Sequence, residues 1–226
     1  MNLWNRFIER GKLTRSIREA TKLTSSTINR FTNPSTLALF EAIVQRSFAS
    51  IKLLDDNLRN SSPQSDAEYL QRRLQVFFDC VCFLRHITAF FVYSKFGEHK
   101  MKVVVDDLLP PLLVEFTVSH FYKPVSSEST PKNLDGFKQR YYDYLNESDR
   151  EYASCEEFIL RPEDDFAYKV GAGSKSKGKL NLLVDNIYRV LNDHNPATYL
   201  HVMEIIMSTT DLKRFEQIII NAAKAI

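Results

Sequence analysis

Apolar residues recur at steps of three and four along most of this chain. Leu37, Phe40, Val44, Phe48, Ile51, Leu54 and Leu58 form one such stripe, which predicts a long helix over 34–59. Asn33-Pro34 supplies its start, a capping side chain followed by proline in the first turn, and Asn60-Ser61-Ser62-Pro63 breaks it. A second stripe runs through Leu70, Leu74, Phe77, Val81, Leu84, Thr88 and Phe91, with Ser65 or Asp66 as its cap and Gly97 as its stop. Phe78, Phe83, Ile87 and Phe90 widen that stripe, so the helix over 66–96 is expected to lie centrally.

The remainder follows the same rhythm with interruptions. Residues 103–122 are apolar but hold Pro110 and Pro111, which predicts a short helix to Leu109 and a second one starting at the prolines. Phe137, Tyr141, Tyr144 and Leu145 mark a helix over 134–147. Three more helices are expected over 179–193, 196–208 and 210–225, with Asn195-Pro196 and Thr209 or Thr210 as the starts of the last two. Upstream, residues 2–10 read as a short amphipathic helix closed by Gly11, and 13–22 and 25–31 as two more short helices. Residues 123–131 read as an exposed loop. Phe158-Ile159-Leu160 and Phe166-Ala167-Tyr168 flank a turn-like Arg-Pro-Glu-Asp-Asp, so one short β-hairpin is admitted near 157–170. The fold class is therefore all-α, a multi-helix bundle of about eight helices with at most that hairpin. The domain reading is a basic helical segment over 1–32 and a bundle over 33–226, with a single domain as the alternative.

Composition supports long helices. Only 6 glycines occur in 226 residues, well under the average usage of about 7%. The three cysteines, Cys80, Cys82 and Cys155, form no disulfide framework, which suits a reducing cytoplasmic setting. The most apolar stretch, 76–93, contains Asp79, Arg85 and His86, so it is read as a buried core helix, with no transmembrane segment. No secretory signal is expected at the start of the chain.

The net charge is +2, yet residues 1–32 carry seven basic side chains against Glu9 and Glu19. A basic end on a slightly acidic body fits contact with a polyanion as well as a solvated face. Within it, Leu23-Thr24-Ser25-Ser26-Thr27-Ile28-Asn29-Arg30 resembles the turn and recognition helix of a helix-turn-helix module. A basic module followed by a run of helices is similar to the build of tetracycline-repressor-type regulators. The likeness departs at Arg18 and Lys22, where that motif carries a small residue and a glycine, and again near Asn29 and Ser35. It implies DNA contact through residues 13–31, by Arg18, Lys22, Ser25, Ser26, Thr27, Asn29 and Arg30, with the later helices forming a ligand pocket and dimer face.

Two other clusters carry chemistry. Gly173–Lys179 matches a phosphate-binding loop up to its lysine, but Leu180 stands where a magnesium-holding hydroxyl belongs, and no parallel sheet can follow. Lys169, Lys175, Lys177 and Lys179 nevertheless precede a helix N-terminus, an arrangement that attracts anions. Asp79, Cys82 and His86 share one helical face, as zinc ligands would, with His120 or Glu115 as a fourth. His201 and Glu204 form a similar pair. No catalytic triad, nucleophile elbow or dinucleotide fingerprint is present, and no cofactor is implied. With 16 Phe and 10 Tyr and no catalytic pattern, the expected role is protein binding, with a homo-oligomer as the expected state.

Overall fold

In the computed structural model the described residues are 11–22, 33–60, 65–121, 131–155, 178–192 and 195–226. They form helices, with no strand among them. Residues 11–22 make α1, followed by α2 (Pro34–Asn60), α3 (Asp66–Phe96) and a short α4 (Glu98–Met101). A π-helical turn (Lys102–Leu108) leads into α5 (Leu109–Phe121). Then come α6 (Pro131–Ala153), α7 (Lys179–Leu191), α8 (Pro196–Thr210) and α9 (Leu212–Lys224). The all-α class stands. The hairpin expected near 157–170, the helices expected over 2–10 and 25–31, and nearly all of the loop expected at 123–131 lie outside the described residues.

Local chemistry sets several helix ends. The Asn33 side chain accepts from Ser35 N at 2.9 Å, Ser65 Oγ accepts from Glu68 N at 3.2 Å, and Asn195 Oδ1 accepts from Ala197 N at 3.0 Å. Gly97 ends α3 at φ +83°, a left-handed conformation that glycine adopts without a Cβ clash.

Several boundaries differ from expectation, among them those of α6, which runs Pro131–Ala153 instead of 134–147. Thr209 and Thr210 do not start α9. They close α8, their hydroxyls bonding back to Ile205 O at 2.8 Å and Ile206 O at 2.7 Å. Asp211 is the cap instead, its carboxylate accepting from Arg214 N at 3.3 Å. Gly11 is helical rather than a stop, a placement that costs about 1 kcal/mol relative to alanine. At the double proline the chain widens before the prolines arrive: Leu109 N bonds to Val104 O, five residues back. An α-helix continued through Pro110 would press its ring against the carbonyl of Asp106, and the wider turn relieves that clash.

The helices group into two compact units. Unit one comprises Met1–Ala42, Ala89–Asn146 and Ile218–Ile226. Its core gathers Leu39, Phe40, Val92, Val104, Leu109, Leu112, Phe116 and Ile219, all fully or nearly fully buried. Burial of each such side chain stabilises by roughly 1.5–3 kcal/mol. Phe40 meets Phe116 edge-on at 6.2 Å. Lys100 Nζ donates to Ala223 O at 2.8 Å and Asn33 Nδ2 to Ala225 O at 2.7 Å, satisfying carbonyls at the end of α9.

Unit two comprises Ile43–Thr88 and Glu147–Gln217. Its core includes Ile43, Leu54, Val76, Phe77, Val81, Ile87, Val184, Val202 and Phe215. Tyr69 clasps α2 to α3: its hydroxyl donates to Asp55, and the Arg59 guanidinium lies 4.5 Å over its ring. Arg46 ties α2 to the last turns of the unit, donating to Thr210 O at 2.8 Å and lying 4.9 Å over the Phe215 ring.

Candidate functional site

The richest polar cluster belongs to unit two and grows from α3. Every residue from Val76 to Arg85 is buried, including Asp79 and Arg85. A buried guanidinium needs a counter-charge, and Arg85 donates to Asp149 on α6. One residue on, the His86 ring stacks on Tyr152 of α6, with centroids 5.4 Å apart and planes 24° apart. Lys179, the first residue of α7, donates to Tyr152 O at 2.9 Å and to Cys155 O at 3.1 Å. It thus places an ammonium on the carbonyl end of α6, where the helix dipole favours a cation.

Electrostatics follow from this packing. Burial, then the charges of Lys179 and Arg85, pull His86 down from its ordinary 6.5 to about 4, so it is neutral at neutral pH. Burial pushes the Cys80 and Cys82 thiols up, and Cys82 is also hydrogen-bonded to Ser148. Thiols held protonated are neither nucleophiles nor metal ligands. The three cysteines are thiols, as expected.

The zinc lead resolves into separate contacts. Asp79 accepts from Gln75 at 3.4 Å, Cys82 bonds to Ser148 and His86 stacks on Tyr152. In unit one, Glu115 pairs with Lys138, and His120 Nδ1 lies 3.0 Å from Ser16 Oγ. His201 and Glu204 are exposed on α8. Among the described residues, no three His, Cys, Asp or Glu side chains are grouped to hold a metal ion.

The basic lead is partly described. On α1, Lys12, Arg15, Arg18 and Lys22 are exposed, while Ser16, Ile17 and Ala20 are buried. Ser119 and His120 of α5 both meet Ser16, so α1 docks by its small-residue face and turns its basic residues outward. Arg15 pairs with Glu19. Ser25, Ser26, Thr27, Asn29 and Arg30 lie outside the described residues, as do Lys169, Lys175 and Lys177. Lys179 is described and is 9% exposed, its ammonium committed to α6 carbonyls rather than to a solvated basic loop.

Two features escaped sequence reasoning. Phe90 and Tyr93, one helical turn apart on α3, are 47% and 59% exposed, although Phe90 extends the apolar stripe. Asn181, in the first turn of α7, has no exposed surface and no partner for either amide atom. α3 alone among the described helices is long and apolar enough to cross a membrane, and 72% of its most apolar window is buried, as in a core helix. Comparison with family models, curated proteins and solved structures yields no match.

Proposed function

We propose that this chain is a cytoplasmic protein-interaction module that associates with a second copy of itself through the aromatic patch of α3. The observation that carries this reading is the exposure of Phe90 and Tyr93 on one side of the helix, with Phe91 edge-on to Phe90 at 5.6 Å. Exposed aromatics cost solubility unless covered, and they are enriched in interface cores. The Cys80 and Cys82 thiols are buried and held protonated, so neither serves as a nucleophile, which favours binding over catalysis. Sedimentation equilibrium over a range of micromolar concentrations tests it. The wild type is expected to be dimeric or larger, and Phe90→Ser with Tyr93→Ser to be monomeric with an unchanged helical spectrum. A wild type monomeric throughout sinks the reading.

A second reading has its own support. The outward basic face of α1 suits phosphate contact, so the chain is alternatively a DNA-binding regulator using residues 13–31. Binding to mixed-sequence duplex should then fall steeply with salt, and Arg18→Ala with Lys22→Ala should reduce the slope by about 2. No binding at low salt excludes this reading.

A further inference from the structure

We infer that the outward face of α1 is a docking surface for an anionic lipid bilayer. Residues 11–22 are helical, and Lys12, Arg15, Arg18 and Lys22 are exposed on them. Steps of three, three and four place these cations on one side of the helix, along about 15 Å at a rise of about 1.5 Å per residue. The other side holds Ser16, Ile17 and Ala20, all buried, and Ser16 is held by Ser119 and His120 of α5. The helix is thus fixed along unit one with its charge turned to solvent.

Charge decides what such a face can meet. Residues 11–22 carry four basic side chains and one acidic one, Glu19, a net charge of +3. Glu19 lies 2.9 Å from Arg15, and no other carboxylate belongs to the helix. Successive cations three and four residues apart repel one another, so the row works against the isolated helix. An opposing negative surface removes that repulsion. About four to eight Lys or Arg on an amphipathic helix form the pattern that adheres to a phosphatidylserine-bearing leaflet, whose surface potential is negative. Their aliphatic stems lie along the interface while the charged heads reach phosphates and carboxylates. Ile17 and Ala20 are already buried in the protein and do not insert. The contact is therefore superficial, reversible and salt-sensitive.

Duplex DNA is anionic too, and the second reading above gives it the same helix. The outward row favours the bilayer. Apart from Thr14, its exposed side chains are cations, with no asparagine or glutamine among them, and the one serine of the helix faces inward. A leaflet asks only for positive charge, whereas a specific duplex site also asks for partners to base edges. Self-association through Phe90 and Tyr93 uses none of these residues, so that reading and this one stand or fall separately.

The test is co-sedimentation of the full chain with vesicles of phosphatidylcholine alone or with about 30% phosphatidylserine, in about 0.1 M salt. The wild type should pellet with the anionic vesicles, stay in the supernatant with the neutral ones, and be released from the former by about 1 M salt. Lys12→Ala with Arg18→Ala, both at exposed positions, should lower the partition coefficient about thirtyfold. Lys52→Ala with Lys213→Ala removes the same charge from exposed positions of unit two and should leave it nearly unchanged. Mixed-sequence duplex at matched accessible phosphate should bind more weakly than the anionic vesicles. The inference is overturned by absence of phosphatidylserine-dependent pelleting, by undiminished pelleting of a folded Lys12 and Arg18 variant, or by an equal loss in the Lys52 and Lys213 variant. Duplex affinity equal to or above that for the vesicles overturns it as well.

Discussion

Among the described residues, the buried polar side chains of unit one are Ser16, Thr36 and Thr117, whereas unit two encloses Asp79, Arg85, Lys179 and Asp185 together with Asn181 and several hydroxyls. The difference is one of how a polar group is satisfied. Thr117 turns its hydroxyl back to Leu113 O at 2.7 Å and needs nothing from another helix. Arg85 and Lys179 take their partners from α6, so their burial is tolerable only if α3, α6 and α7 meet in register. Unit one is specified by the fit of apolar side chains, and unit two additionally by pairing of charges and carbonyls.

The comparison can be broken at its strongest point in unit one. Phe116 is fully buried against Phe40, and Phe116→Ala should cost about 4 kcal/mol in urea-induced unfolding at any pH. A cost below about 1 kcal/mol would mean that packing does not specify this unit. In unit two the counterpart is the ion pair. Asp149→Ala removes the carboxylate to which the Arg85 guanidinium, 3% exposed, donates and should cost about 3 kcal/mol. Arg85→Met, which leaves the 35% exposed Asp149 to hydrate, should cost distinctly less. Equal costs would show that the asymmetry of burial has no energetic weight.

A third effect sharpens the contrast by pH. The folded value of His86 lies near 4, below its ordinary 6.5, so the unfolded chain binds the proton first as pH falls. Its contribution is complete above 6.5 and is lost as pH falls from there toward 4. Among the described residues, the charges acting on the ring are Lys179 of α7 and Arg85 beside it, and both oppose its protonation. The wild type should lose about 3 kcal/mol across that window beyond the loss shown by His86→Phe, which keeps the ring stack and cannot be protonated. Parallel pH profiles for the two proteins would contradict it.

What was legible in the sequence was local. Asn33-Pro34, Ser65, Gly97 and Asn195-Pro196 mark helix ends because capping needs only neighbours a few residues away. The same signal misplaced the start of α9, since Thr209 and Thr210 can bond back to their own helix as readily as cap the next one, and Asp211 took the role. Periodicity found the stripe of α3 but could not say that Phe90 stays 47% exposed, because exposure depends on what other helices bring. Asn181 sits between Leu180 and Leu182 in a run whose polar members look solvated. Its burial is set by tertiary surroundings that composition does not encode. Lys179, read as part of a basic loop, was recognisable only once the carbonyl end of α6 stood next to it.

The tie from Lys179 to Tyr152 O and Cys155 O joins positions 27 and 24 residues apart in the chain. A single side chain that grips two carbonyls so far away in sequence acts as a clasp, and replacing it by a shorter or neutral residue would be felt as a loosening of α7 from the end of α6 rather than as a lost surface charge.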